Sequence, residues 1–198
     1  MSAERRSVKR LIACLTLCAG VAANANPDAA DTFGTIVDSD GNISLPLEFQ
    51  RSWTFLGTWS IAKGDVRSSS EASGHGAAGL HNVYVQPDVI EHYRKHGEFP
   101  DGAVLVKELL KAETGSMTTG TVSWGREVEG WFVMVKDRHD RFPEHGLWGD
   151  GWGWVLFNAD APERPVTTNY KTECTGCHIP ARRTDWIYVQ GYPVLNAE

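Results

Sequence analysis

Cys174, Cys177 and His178 stand together in the stretch CTGCHIP, and their spacing Cys-x-x-Cys-His is the first feature of this chain that could do chemistry. Three chemistries use it: a redox dithiol, half of a zinc site, and covalent attachment of haem. The cysteine count helps to choose. The chain has four cysteines, and the other two, Cys14 and Cys18, sit in the apolar run Leu11 to Ala23. Arg5, Arg6, Lys9 and Arg10 precede that run and Ala23-Asn24-Ala25 closes it, which is the pattern of a cleaved secretory signal. Leu11-Ile12-Ala13-Cys14 looks like a lipoprotein cleavage box, but no apolar stretch separates it from the basic cluster, so the cut is placed after Ala25.

Removing residues 1–25 leaves 198 − 25 = 173 residues and one cysteine pair. A structural zinc site takes four ligands, and neither a second pair nor a clustered histidine pair is present. A thioredoxin-like dithiol follows a strand within a βαβ pattern, whereas PVTTNYKTE before Cys174 reads as loop. The reading that remains is one haem c, bonded through Cys174 and Cys177, with His178 as the iron ligand. Thioethers from adjacent turns fix both vinyl edges, and the neighbouring imidazole then reaches the metal. A closed electron-carrying centre would need a second axial ligand, commonly methionine. Only Met117, in a loop, and Met134, in an alternating strand, are offered, and Met134 reads as core packing.

A second reactive side chain is Lys107. In AVLVKELL, Ala103, Leu105, Lys107 and Leu109 share one face of a strand, and Val104, Val106 and Glu108 share the other. The lysine therefore stands among apolar neighbours. WGDGWGW, Trp148 to Trp154, puts Trp152 and Trp154 on one face with glycines between them, where another surface can approach closely. Asp150 in that stretch is a candidate proton carrier. His75, His92, His96, His139 and His145 read as solvated.

The elements that must position these residues are mostly strands. LHNVYVQ, AVLVKELL, TVSW, GWFVMVKD and GWGWVLFNA alternate as strands do, and hairpin spacing predicts an antiparallel sheet. Pro87 opens a helix that Gly97 closes, and Leu45 to Leu56 is expected to be a short helix capped by Ser44. Residues 26–44 are polar and turn-rich and are expected to form a flexible arm before a single domain over residues 45–198. The class is mainly β (α+β): an antiparallel sheet with short flanking helices and a C-terminal haem-attachment motif. Beyond the signal, no stretch reaches the roughly 20 apolar residues of a membrane helix. After cleavage 15 Lys+Arg face 24 Asp+Glu, a net charge of −9. Nucleic acid and anionic membrane surfaces both call for positive charge, so the expected partners are small molecules or a basic protein.

FPDGAVLVKEL, then GWFVMVKD, then CTGCH followed by TDWIYVQGYPVL resembles the cytochrome P-460 family, over about residues 45–196. The resemblance implies an antiparallel β fold, a homodimer, and one c-type haem that is five-coordinate at rest. It also implies a covalent bond from Lys107 to the haem macrocycle, and oxidation of hydroxylamine to nitrous oxide or nitric oxide in the periplasm, with a soluble cytochrome as electron acceptor. Two positions depart from the family pattern. His81 stands where the family has an arginine, and Phe132 where it has a distal carboxylate. His81 is thus a candidate distal base, since imidazole titrates near neutral pH. Phe132 is a candidate apolar cap, as in the related cytochromes c′-β, which bind nitric oxide and carbon monoxide without turnover.

Overall fold

The computed structural model describes residues 29–64 and 76–196; the expected signal peptide and His75 lie outside the described residues. Its strands are β1 (Thr54–Ala62), β2 (Ala77–Val85), β3 (Val104–Met117), β4 (Gly120–Lys136), β5 (Trp148–Gly149) and β6 (Trp152–Asn158). They form one six-stranded sheet in the order β1-β2-β3-β4-β6-β5, with every neighbouring pair antiparallel. The mainly β, α+β class with short flanking helices is the one the chain adopts.

Period-two alternation builds two cores from one sheet. Val104, Val106, Val133, Val135, Val155 and Phe157 point to one side and meet Ile36, Phe49 and Trp148. Val83, Val85, Leu105, Met134, Trp152 and Trp154 point to the other and meet Val89, Tyr93, Phe99, Trp186 and Leu195. Covering both faces explains the near-continuous apolar runs in β4 and β6. Helix α1 (Ala29–Ile36) and the four-residue α2 (Phe49–Ser52) serve the first side. Helix α3 (Pro87–His96) serves the second through Val89, Ile90 and Tyr93. Pro87 starts α3 and Gly97 ends it at φ +72°, its N–H donating to the Tyr93 carbonyl at 2.7 Å.

Three expectations are corrected. Residues 29–44, expected to belong to a flexible arm, form α1 and the Val37–Ile43 bridge, with Ile36, Val37 and Ile43 buried in the first core. The Leu45–Leu56 helix shrinks to Phe49–Ser52. Trp53 is already extended at φ −96°, and Thr54 onwards pairs with β2, so ladder hydrogen bonds win over local helix preference. TVSW and GWFVMVKD are not separate strands but parts of β4, which runs beside β3 as one long hairpin. The tight β5–β6 turn is Asp150-Gly151, with φ of +55° and +81°, the pattern of an Asp-Gly type I′ hairpin.

After β6 the chain crosses the second face of the sheet in short turns. Helices α4 (Tyr170–Glu173) and α5 (Thr175–His178) come first, followed by 3-10 helices at Ile179–Thr184, Val189–Gly191 and Pro193–Leu195. Asn169 caps α4, its Oδ1 accepting from Lys171 N at 3.0 Å. Arg94 Nε of α3 donates to the Val194 carbonyl at 2.9 Å and ties this segment to the helix.

Candidate functional site

A cavity of about 600 Å³ lies between the second face of the sheet and that C-terminal segment. Alternate residues of the strands make its wall: Trp59 and Ile61, His81 and Val83, Leu105 and Lys107, Phe132 and Met134, and Trp154. Cys174, Cys177, His178, Ile187, Tyr188 and Tyr192 make its roof. His81, Lys107, Phe132, Cys174, Cys177 and His178 therefore meet in one place, while Trp152 lies in the core outside the lining. Register sets their arrangement: Lys107 lies opposite Val83 on one side and Phe132 on the other, and His81 lies opposite Leu109 and Trp59.

Lys107 is an amine in an apolar cavity. Its Nζ stands 4.4 Å from the centroid of the Phe132 ring, and among the described residues it has no ion-pair or hydrogen-bond partner. Glu108 cannot neutralise it, because the next residue of a strand points through the sheet. Glu108 is buried on the far side, accepting from Gln50 Nε2 at 3.0 Å and Trp131 Nε1 at 3.4 Å. Burial pushes the Lys107 pKa down. The side chain keeps only partial exposure, where it projects into the cavity. Burial thus shifts this amine towards its neutral, nucleophilic form.

His81 behaves differently from expectation. Burial first, and then the Lys107 charge, push its pKa down to about 4. It is a neutral imidazole at neutral pH that can accept a hydrogen bond but holds a proton poorly. Phe132 is the ring beside Lys107 and lines the same cavity. Glu173 is the one carboxylate in the lining, and it is exposed and committed to the Thr168 N–H and hydroxyl.

On the roof, Cys174 is buried and Cys177 exposed, and both are free thiols. Burial pushes the Cys174 thiol up to about 11, the reverse of the depressed thiol that drives dithiol exchange. Among the described residues no group of three His, Cys, Asp or Glu is placed to hold a metal ion. His178 Nδ1 lies 2.7 Å from the Trp186 carbonyl oxygen. A carbonyl only accepts, so the proton is on Nδ1 and the Nε2 lone pair is free for a metal. Burial lowers the His178 pKa, which keeps the ring neutral and able to ligate.

Sequence reasoning missed what holds that carbonyl. Asp185 and Trp186 are consecutive non-glycine residues at φ +56° and +68°, in the left-handed region. The Asp185 carboxylate braces them, accepting from Lys136 Nζ at 2.5 Å, Trp152 Nε1 at 3.3 Å and Phe99 N at 3.1 Å. Tyr188 was also missed: its hydroxyl donates to the Cys177 carbonyl at 2.6 Å. TDWIY was visible as a string, but no local pattern signals a left-handed pair.

Other candidates fall outside. Asp150 sits in the β5–β6 turn, away from the cavity, beside the Tyr170 hydroxyl. Met117 is exposed at the far end of the β3–β4 hairpin, while Met134 lies in the wall, buried beside Leu105 and Trp154. His96 and His139 are exposed as expected. His92 is half-buried with Nε2 inaccessible and unpartnered, and His145 Nδ1 accepts from Leu147 N at 3.2 Å, so neither is simply solvated.

The residues fit a haem. The cavity falls within the roughly 300–1,000 Å³ of small-molecule and cofactor sites, is mostly apolar, and offers two thiols and one free imidazole nitrogen on a single wall. Residues 50–189, from α2 to the roof of the cavity, match the family model described as Cytochrome P460. No curated protein shows significant similarity to the chain.

Proposed function

Because the chain belongs to the cytochrome P460 family of haem proteins, we propose that it is a periplasmic mono-haem cytochrome that oxidises hydroxylamine and passes the electrons to a soluble cytochrome. Cys174 and Cys177 would hold a haem c through thioethers, His178 Nε2 would ligate its iron, and Lys107 Nζ would bond to the macrocycle, in a protein that works as a homodimer. The observation that carries this reading is Lys107: an unpaired amine, kept towards its neutral form by burial, in the same cavity as both thiols and the imidazole.

Bound in this cavity, the haem would supply an open coordination position and an electron sink. The protein's own residues do the rest. Trp186 holds the Nδ1 proton of His178 and fixes the ring plane. Phe132, Val83 and Leu105 keep the wall around Lys107 dry. Oxidising hydroxylamine to nitric oxide removes three electrons and three protons. His81 is the group facing the cavity that can receive a proton in passing, and a pKa of about 4 means that it returns the proton readily.

A second reading keeps the fold and cofactor but removes turnover: a nitric oxide- or carbon monoxide-binding cytochrome of the c′-β type. The aromatic ring of Phe132 beside Lys107 and the weak basicity of His81 favour it. One experiment separates the two. Holoprotein is mixed with hydroxylamine and a dye acceptor, alongside Lys107→Ala. Acceptor reduction by the wild type, lost in the variant together with a red-shifted, broad Soret band of the dithionite-reduced protein, supports the enzyme. No reduction above a haem control leaves the gas-binding reading.

A further inference from the structure

The turn that follows His178 is a 3-10 helix, Ile179–Thr184, with the sequence IPARRT. Three residues per turn stack each side chain over the one three places on. Ala181 and Thr184 face inward, Ala181 only 4 % exposed. Ile179 therefore stacks with Arg182 and Pro180 with Arg183, and all four are exposed. Ile179 is 59 % exposed and follows the exposed Cys177 by two residues.

The two arginines here differ from the other arginines. Among the described residues, Arg51, Arg126, Arg138, Arg141 and Arg164 each pair with a carboxylate, and Arg94 is spent on a carbonyl. Arg182 and Arg183 do neither; Arg182 lies over the Trp186 ring, 5.4 Å from its centroid. Lys171, exposed on α4, is also without a carboxylate partner. Against these three cations the segment 171–184 has one anion, Glu173, giving 3 − 1 = +2 in a chain of formal net charge −6.

We propose that this apolar, basic patch at the rim of the haem cavity is the docking site for an acidic electron-transfer protein. The inference rests on the haem reading above. It reverses the partner that whole-chain charge implies, because at physiological ionic strength screening leaves only charges within about 8 Å of a contact effective. Ile179 and Pro180 supply the dry centre of the contact, and Arg182, Arg183 and Lys171 supply its basic rim. A ferrous haem held at Cys174 and Cys177 would give the docked acceptor one electron and become ferric, the acceptor being reduced by one electron with no proton or bond changing hands.

Small acceptors of opposite charge test this on the holoprotein. The reduced protein is mixed in a stopped-flow instrument with ferricyanide, an anion, or with tris(phenanthroline)cobalt(III), a cation. Ionic strength is raised from about 0.1 M to about 1 M, where the screening length shrinks from about 10 Å to about 3 Å. The ferricyanide rate is expected to fall by about tenfold and the cobalt rate to rise. In Arg182→Glu/Arg183→Glu, two exposed changes outside the cavity, both trends should reverse. A ferricyanide rate that rises with salt in the wild type overturns the proposal, as do unchanged slopes in the variant. A variant whose sedimentation shows a changed oligomeric state assigns the patch to a second copy and also overturns it. A preparation with no reducible haem removes the haem reading and this inference together; a reducible haem with the wrong slopes removes this inference alone.

Discussion

Asp185→Asn isolates the brace behind His178. Lys136 and Asp185 are 10 % and 15 % exposed, and their charged atoms lie 2.5 Å apart. Asparagine tolerates the left-handed backbone of position 185, and its amide oxygen can still accept from Phe99 N. What disappears is the anion beside a buried ammonium. Breaking a buried pair on one side costs about 3–5 kcal/mol, and the residual exposure puts this one near the lower end, about 3 kcal/mol. For a domain of this size that is a fall in melting temperature of about 6–12 °C. Lys136→Met added to the same protein removes the orphaned charge and should recover part of the loss. The assay is thermal melting of the holoprotein by circular dichroism. The iron–histidine stretching frequency of the ferrous protein is read as well, since a relaxed Asp185-Trp186 turn moves the carbonyl that holds His178. A melting point within about 2 °C of wild type together with an unshifted frequency would refute the reasoning.

His81 should make the fold acid-sensitive. Its pKa falls from the ordinary 6.5 to about 4 in the fold, so its contribution is complete above about pH 6.5 and disappears as the pH drops towards 4. His81→Asn should lose less melting temperature than wild type between those limits, and parallel losses would count against the assignment. Gly191→Ala places a Cβ 2.4 Å from Trp59 Cζ2 in the cavity wall. It should cost about 1–3 kcal/mol in urea denaturation and alter cyanide affinity, unless the indole swings clear. Phe132→Ala should speed cyanide and nitric oxide association several-fold in stopped flow; an unchanged rate would show that the ring does not cover the ligand's path.

Where alternation alone fixed a side chain's direction, the sequence was readable. Lys107 could be placed on the apolar face with Leu105 from AVLVKELL, and the structure has both in the cavity wall. Cys174, Cys177 and His178 were readable because their spacing is local to the chain, and the structure has all three in the roof of the cavity. Where distant pairing decided, reading failed. Trp53 to Leu56 could have continued a helix, and only the ladder with Tyr84 and Val85 makes Thr54 the start of β1. The weak basicity of His81 comes from the burial around it, which no local pattern records. The bend at Trp186 depends on Lys136, Trp152 and Phe99, which lie on other elements.

Lys107 lies in the wall and Cys174 in the roof of the same cavity, 174 − 107 = 67 residues apart along the chain. The two thioethers alone would join positions only three residues apart and so barely restrict an unfolded chain. A macrocycle bonded to Lys107 as well would close a loop of 67 residues. On the chain-entropy scale used for disulfides, a closure of that length is worth about 4 kcal/mol. The free cysteines Cys174 and Cys177 make no disulfide that could supply such a tether. The lysine position would then matter to endurance as well as to reactivity. A cofactor stapled at both walls would keep sheet and roof together when heat opens the rest, and the chain would reclose around a contact that it never lost.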